Sequence, residues 1–102
     1  MIKPFSDSEL RKDLEGNSKI YIYFYSPSCG PCKITGPLVE QFGETTKDIV
    51  YAVTSKEGTD LQKQLNVSAY PSLIVIENHK VLRGAIGATE VEKIIQDGTS
   101  NK

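Results

Sequence analysis

The chain has 102 residues, 38% of them hydrophobic and 25% charged, which suits a single globular domain over 1–102 and excludes a disordered or low-complexity chain. Twelve basic and thirteen acidic residues leave a net charge of -1, so there is no electrostatic ground for binding nucleic acid or an anionic membrane. No apolar run is long enough to span a bilayer, and the polar opening Met1–Leu10 lacks an export-type apolar segment. The expected setting is therefore the cytoplasm, where thiols stay reduced.

Ser6-Asp7-Ser8-Glu9 has capping-box spacing, Leu10 and Leu14 follow four apart, and Gly16 comes just after, which predicts a helix over 7–15. A short edge strand at Ile2–Lys3 precedes it. Lys19–Tyr25 is β-branched or aromatic at nearly every position, the pattern of a strand buried on both faces. Ser26-Pro27-Ser28 breaks it. Cys29-Gly30-Pro31-Cys32 then opens a second helix, continued by Ile34, Leu38, Val39 and Phe42 and kinked by the internal Pro37.

Ile49–Thr54 reads as a strand, and Thr59–Leu65 as a short helix with Thr59 as its cap. Ser72–Glu77 and Val81–Ala85 form a hairpin through Asn78-His79. Glu90–Asp97 is a final amphipathic helix with Val91, Ile94 and Ile95 inward, and residues 98–102 are expected to fray. The order implies an α/β fold: a central mixed sheet of four to five strands, with about four helices on both faces. Chemistry then belongs at the carboxyl ends of the parallel strands, where Cys29 falls.

Two cysteines spaced C-x-x-C, after a strand and at a helix start, make a redox signature. Unpaired N–H groups and the positive end of the helix dipole favour a thiolate at Cys29, below the ~8.5 of a free thiol. Cys32 lies within one turn and can resolve a mixed disulfide. Gly30 allows a tight turn, and Pro31 suits a first helical turn, where its missing N–H costs little. Two blander readings compete. A buried structural pair would not need Gly-Pro between its cysteines. Half of a zinc site would need four ligands, and beyond the pair the chain offers only His79, which is read as solvated, so no metal is expected.

The Cys29-Gly30-Pro31-Cys32-Lys33 string, Pro37 five residues after the second cysteine, and Val67-Ser68-Ala69-Tyr70-Pro71-Ser72-Leu73 together resemble the thioredoxin family. Asn78 and Gly87 fit its hairpin turn and its glycine near the substrate groove. The resemblance runs from about Ile20 to Asp97 and implies the thioredoxin fold and a protein-disulfide reductase serving cell redox homeostasis. It also implies roles. Cys29 would be the nucleophile and Cys32 the buried resolving thiol, with no cofactor beyond their redox-active disulfide. Pro71 would be cis, leaving the Tyr70 backbone to pair with an extended substrate, although an ordinary trans proline entering a strand is the plain alternative. Ser28, Tyr70, Pro71 and Gly87 would bind substrate. The partners implied are disulfide-containing proteins and a thioredoxin reductase as electron donor, with the chain acting as a monomer.

Three differences from the family pattern involve four positions. Ser28 stands where a Trp usually precedes the first cysteine, and the chain has no Trp. Tyr23 stands six residues before Cys29, where the family commonly buries an aspartate, and Ala52 replaces the lysine that often partners it. Losing both charges together is coherent, since either alone would be buried unpaired. A phenol titrates near ~10 and is a poor base at neutral pH, so resolution by Cys32 is expected to be slower, unless Tyr23 is simply packed in the core. Tyr70 stands where a smaller aliphatic residue is common and is expected either to restore apolar contact beside Cys29 or to pack on its own loop. Lys33 could add to the positive field near Cys32, against the reading of an exposed helix lysine. A thioredoxin-fold binding subunit that does not use its thiols, and a more oxidising disulfide exchanger, are the alternatives to a reductase.

Overall fold

In a computed structural model, residues 2–16 and 19–100 are described, the last two as backbone only. The elements are β1 (Ile2–Pro4), α1 (Asp7–Glu15), β2 (Ile20–Tyr25), α2 (Cys32–Thr45), β3 (Ile49–Thr54), α3 (Thr59–Gln64), β4 (Ser72–Glu77), β5 (Lys80–Ile86) and α4 (Ala88–Ser100). One five-stranded sheet runs in the order β1-β3-β2-β4-β5. β1, β3 and β2 are parallel, and β4 and β5 are antiparallel additions, which makes the expected mixed sheet with four helices.

Why β2 sits centrally follows from its alternation. Tyr21 and Tyr23 face one side with Val39 and Phe42 of α2 and Val91 and Ile94 of α4. Ile20, Ile22 and Phe24 face the other side with Leu10 of α1, and Leu61 of α3 packs against that cluster. Both faces are therefore apolar, and a strand of this kind is stable only when covered twice. Ile22 and Phe24 are 0% exposed, and each side chain buried so fully contributes about 1.5–3 kcal/mol.

Five helix boundaries differ from expectation. α2 begins at Cys32, with Pro31 in its N-cap position, so Cys29 lies in the preceding turn. Gly58, with φ 54°, is the N-cap of α3, and Thr59 is already helical. α3 stops at Gln64 because Asn66 turns into the left-handed region at φ 58°. α4 starts two residues early and continues through Gly98 to Ser100, where fraying was expected. Gly98 explains the extension: a Cβ there would meet the Phe42 ring at 3.0 Å, so the helix end is packed on the core. Residues 101 and 102 lie outside the described residues.

At α1, Ser6 Oγ accepts from Glu9 N–H at 3.5 Å, while the Glu9 carboxylate lies 3.7 Å from the Lys3 ammonium. The β4–β5 turn matches expectation, with Asn78 and His79 both at positive φ, as a two-residue type I′ turn requires. No motif marks the irregularity opposite Val75 and Ile76, whose partners are Arg83 and Val81, so Leu82 is the extra residue of a bulge on the edge strand.

Candidate functional site

β2 ends at Tyr25, and a serine-stabilised turn follows. The Ser26 and Ser28 hydroxyls are 3.1 Å apart, and the Cys29 N–H donates to Ser26 O at 3.1 Å. Ser28 is exposed, and its short polar side chain is engaged within the loop. The next residues wind into α2: Lys33 N–H donates to Gly30 O and Ile34 N–H to Pro31 O, each at 3.0 Å.

Cys29 and Cys32 form a disulfide with Cα atoms 5.3 Å apart. Cys29 is partly exposed, and Cys32 is 7% exposed. The Cys32 N–H, one of the unpaired donors of a helix start, points to Cys29 Sγ at 3.2 Å. A negative sulfur at Cys29 therefore has a donor and the positive helix end already in place. Lys33 is exposed.

The antiparallel pairing of β2 with β4 sets Phe24 against Ser72, so Pro71 lies at the same end of the sheet as the cysteine loop. The Tyr70–Pro71 bond is cis. Gly87, with φ 91°, donates its N–H to Pro71 O at 2.8 Å. Cys29, Pro71 and Gly87 thus gather from three separate segments. Two apolar side chains near them are exposed: Ile34, which helical spacing groups with Leu38, Val39 and Phe42 but which is 60% exposed in the first turn of α2, and Ile86, which no motif marks and which is 57% exposed beside Gly87. Each is an isoleucine off the buried side of its element, which is legible only once that side is known.

Tyr70 does not present its ring as free apolar surface. It is partly buried, packs against the core under α1 and α3, and donates its hydroxyl to Gln62 Oε1 at 2.5 Å. Of the two readings of this tyrosine, packing within its own region is the one observed.

Tyr23 is 3% exposed, with its hydroxyl 2.6 Å from Thr35 Oγ1. Thr35 is 0% exposed and donates to Pro31 O at 3.4 Å. Either of the two hydroxyls can donate to the other, and donation by Thr35 is what favours a phenolate at Tyr23. Burial pushes the Tyr23 hydroxyl above its ordinary pKa, the Thr35 bond pulls it back, and Tyr25, stacked at 5.6 Å, adds to the rise. A phenol in this state accepts no proton from Cys32 at neutral pH. Thr35 was missed in the sequence, although a hydroxyl on the 35, 39, 42 stripe that faces the core is a signal for a buried partner.

Behind Cys32 lies an open cleft of about 880 Å³ whose walls include Tyr23, Cys32, Gly36, Ala52, Glu40 and Glu57. Gly36 and Ala52 are small, and the space they leave lets water approach this side of the pair. Among the described residues no group of three or more His, Cys, Asp or Glu could hold a metal, and no helix is long and apolar enough to cross a membrane.

The thioredoxin family profile matches residues 1–99. The chain is 32% identical over 81 residues to a thioredoxin of Mycoplasma pneumoniae, covering 78% of this chain and 79% of that protein. It is 31% identical over 74 residues to thioredoxin-2 of Saccharomyces cerevisiae, covering 72% and 71%. Among solved structures, Schistosoma mansoni thioredoxin superposes with a TM-score of 0.84 at 25% identity, covering 99% of this chain and 95% of that one. Oxidised mitochondrial thioredoxin 3 of Saccharomyces cerevisiae gives 0.78 at 29%, covering 94% of each.

Proposed function

The chain belongs to the thioredoxin family and is a thiol–disulfide oxidoreductase, and from that premise we propose that it reduces protein disulfides with Cys29 as nucleophile and Cys32 as resolving thiol. The Cys29 thiolate attacks one sulfur of the substrate disulfide. That S–S bond breaks, and one substrate thiolate leaves. Cys32 then gives up its proton and attacks Cys29 Sγ, which releases the second substrate thiolate and closes the Cys29–Cys32 disulfide. Two electrons pass to the substrate. A thioredoxin reductase restores the dithiol, in a compartment that keeps thiols reduced, the cytoplasm.

The observation that carries this reading is the Cys32 N–H aimed at Cys29 Sγ at a helix start, with the second sulfur already bonded to the first. Gly30 and Pro31 hold the pair in one turn. Ser28, Pro71, Gly87 and the Tyr70 backbone line the approach, where an extended substrate adds as a strand. Ile34 and Ile86 supply the apolar contact that Ser28 lacks, and Lys33 contributes positive charge at the rim. The test is catalysed reduction of a disulfide-bonded protein by dithiothreitol. Wild type is expected to turn over many times, and Cys29→Ser to run at the uncatalysed rate; equal rates for the two would overturn the reading.

Tyr23 and Thr35 hold the first turn of α2 and take no part in proton transfer. The Cys32 proton passes to water in the cleft or to the departing substrate thiolate. Tyr23→Asp would put a carboxylate beside the Thr35 hydroxyl and the cleft. It is expected to raise turnover near pH 7 by up to about tenfold, short of the roughly 100-fold at which full general acid–base assistance begins, because water and the departing thiolate already take the proton. Tyr23→Phe is expected to leave the pH profile in place. Turnover measured from pH 6 to 9 for all three proteins checks this, and an altered profile in Tyr23→Phe would assign the phenol a proton-transfer role after all.

A further inference from the structure

Gln62 is 7% exposed in α3, a helix whose other side chains are polar or only partly buried, and both ends of its amide are used. Nε2 donates to Glu57 O at 2.7 Å and to Ser55 O at 3.3 Å, in the loop that follows β3. Oε1 accepts the Tyr70 hydroxyl at 2.5 Å. One side chain therefore ties the loop after β3 to the residue immediately before Pro71. The same residue serves a third segment through its backbone, since Val67 N–H donates to Gln62 O at 2.8 Å and closes the turn leading toward Tyr70.

The surroundings give this arrangement a direction. The loop 55–57 is itself held, because the Glu57 carboxylate accepts from Thr54 N–H at 3.1 Å and from the Thr54 hydroxyl at 3.3 Å. Pro71 is held from the other side by Gly87 N–H. Between these fixed points, Tyr70 has its ring against the core and its hydroxyl on Gln62, so its side chain cannot swing without breaking a partly buried bond. A buried amide carbonyl left without its donor costs more than an exposed one.

We propose that Gln62 is a positioning residue for substrate recognition: by holding the Tyr70 hydroxyl, it sets the backbone of 69–71 in the line that an extended protein substrate joins. This rests on the substrate-binding role given above to Tyr70 and Pro71. The clamp acts on protein substrates, which need the backbone line. It does not act on a small disulfide, which needs only the sulfur of Cys29. Gln62 thereby separates recognition of a polypeptide from the exchange chemistry.

The test uses the whole chain, with a disulfide-bonded protein and cystamine as parallel substrates. Gln62→Leu removes the amide. Tyr70→Phe removes only the hydroxyl and leaves the bonds to Ser55 and Glu57 in place, so it keeps the test valid if Gln62→Leu does not fold. Each variant is expected to raise KM for the protein substrate about 3–10-fold with kcat and its pH profile held, and to lose several-fold less on cystamine than on the protein substrate. The double variant is expected to add nothing to the larger single effect, because one bond is lost either way. An unchanged KM in Tyr70→Phe, or equal losses on both substrates, would overturn the proposal. Failure of the underlying reading looks different: Cys29→Ser would then reduce the protein substrate as fast as wild type.

Discussion

Cys32→Ser is expected to stop turnover after the first exchange and to leave the substrate bound to Cys29 as a mixed disulfide. The nucleophile keeps the donor that faces it, since the bond to Cys29 Sγ comes from the backbone N–H of residue 32 and not from its side chain. The first step therefore survives the substitution. The second step does not, because a serine hydroxyl forms no disulfide. What is lost is an intramolecular attack between residues whose Cα atoms are 5.3 Å apart, and well-oriented attacks of that kind carry a large effective molarity. Release must then wait for external thiol, and turnover is expected to fall by at least about 100-fold. Mass spectrometry of the denatured, unreduced mixture checks the adduct, and kinetics check the rate. A variant that turns over freely and carries no adduct would mean that Cys32 is not the resolving thiol.

Tyr51→Phe is expected to cost about 1.5–3 kcal/mol of stability at pH 7, the range for a hydrogen bond to a charged group. Tyr51 of β3 is 0% exposed and donates its hydroxyl to Asp13 Oδ2 of α1 at 2.5 Å. Lys3 of β1 adds a second donor to the same oxygen at 3.1 Å. Three elements meet at one carboxylate. Burial pushes the Asp13 carboxyl up, but the bonds from Tyr51 and Lys3 and the Lys3 charge outweigh it and leave the group below its ordinary 3.8. Burial and the neighbouring carboxylates raise the Tyr51 hydroxyl well above its usual range, so it remains a donor at every pH of interest.

The sign of the pH dependence follows. A carboxyl whose folded pKa is depressed contributes stability that is present above its unfolded value and is lost as pH falls through the folded value. The difference between wild type and Tyr51→Phe is therefore expected to be full at neutral pH and to shrink once the pH drops below 3.8. Urea unfolding of both proteins at a series of pH values from 7 down to 3 measures it. A difference that stays constant across the series would show that the lost hydroxyl acts through packing and not through the Asp13 charge.

How far the sequence could be read depended on whether its signals were local. The C-x-x-C pair, the double-faced strand at 20–25, the Asn-His hairpin turn and the N-capping Ser6 are each decided by residues within a few positions of one another, and each lies where the pattern put it. Helix ends were less legible. Gly58 takes the cap of α3 because only a left-handed residue fits there, and α4 runs on because Gly98 lets the helix approach Phe42, which is far away in the chain. Charge loss at two positions was visible as well: Tyr23 and Ala52 announced an interior without the ion pair.

What replaces that pair was not visible. Tyr23 bonds to Thr35 across twelve positions of sequence, and Tyr70 bonds to Gln62 across eight, with no motif to mark either pair. By itself the sequence determined the family, the order of the elements and the two sulfurs, because periodicity and close spacing are properties of the chain alone. The tertiary structure decided which hydroxyl serves which partner, where Tyr70 turns its ring, and that Gly36 and Ala52 leave a cleft behind Cys32. Those outcomes depend on which buried polar groups are brought within about 3 Å of each other, and packing settles that only after the sheet and helices have assembled.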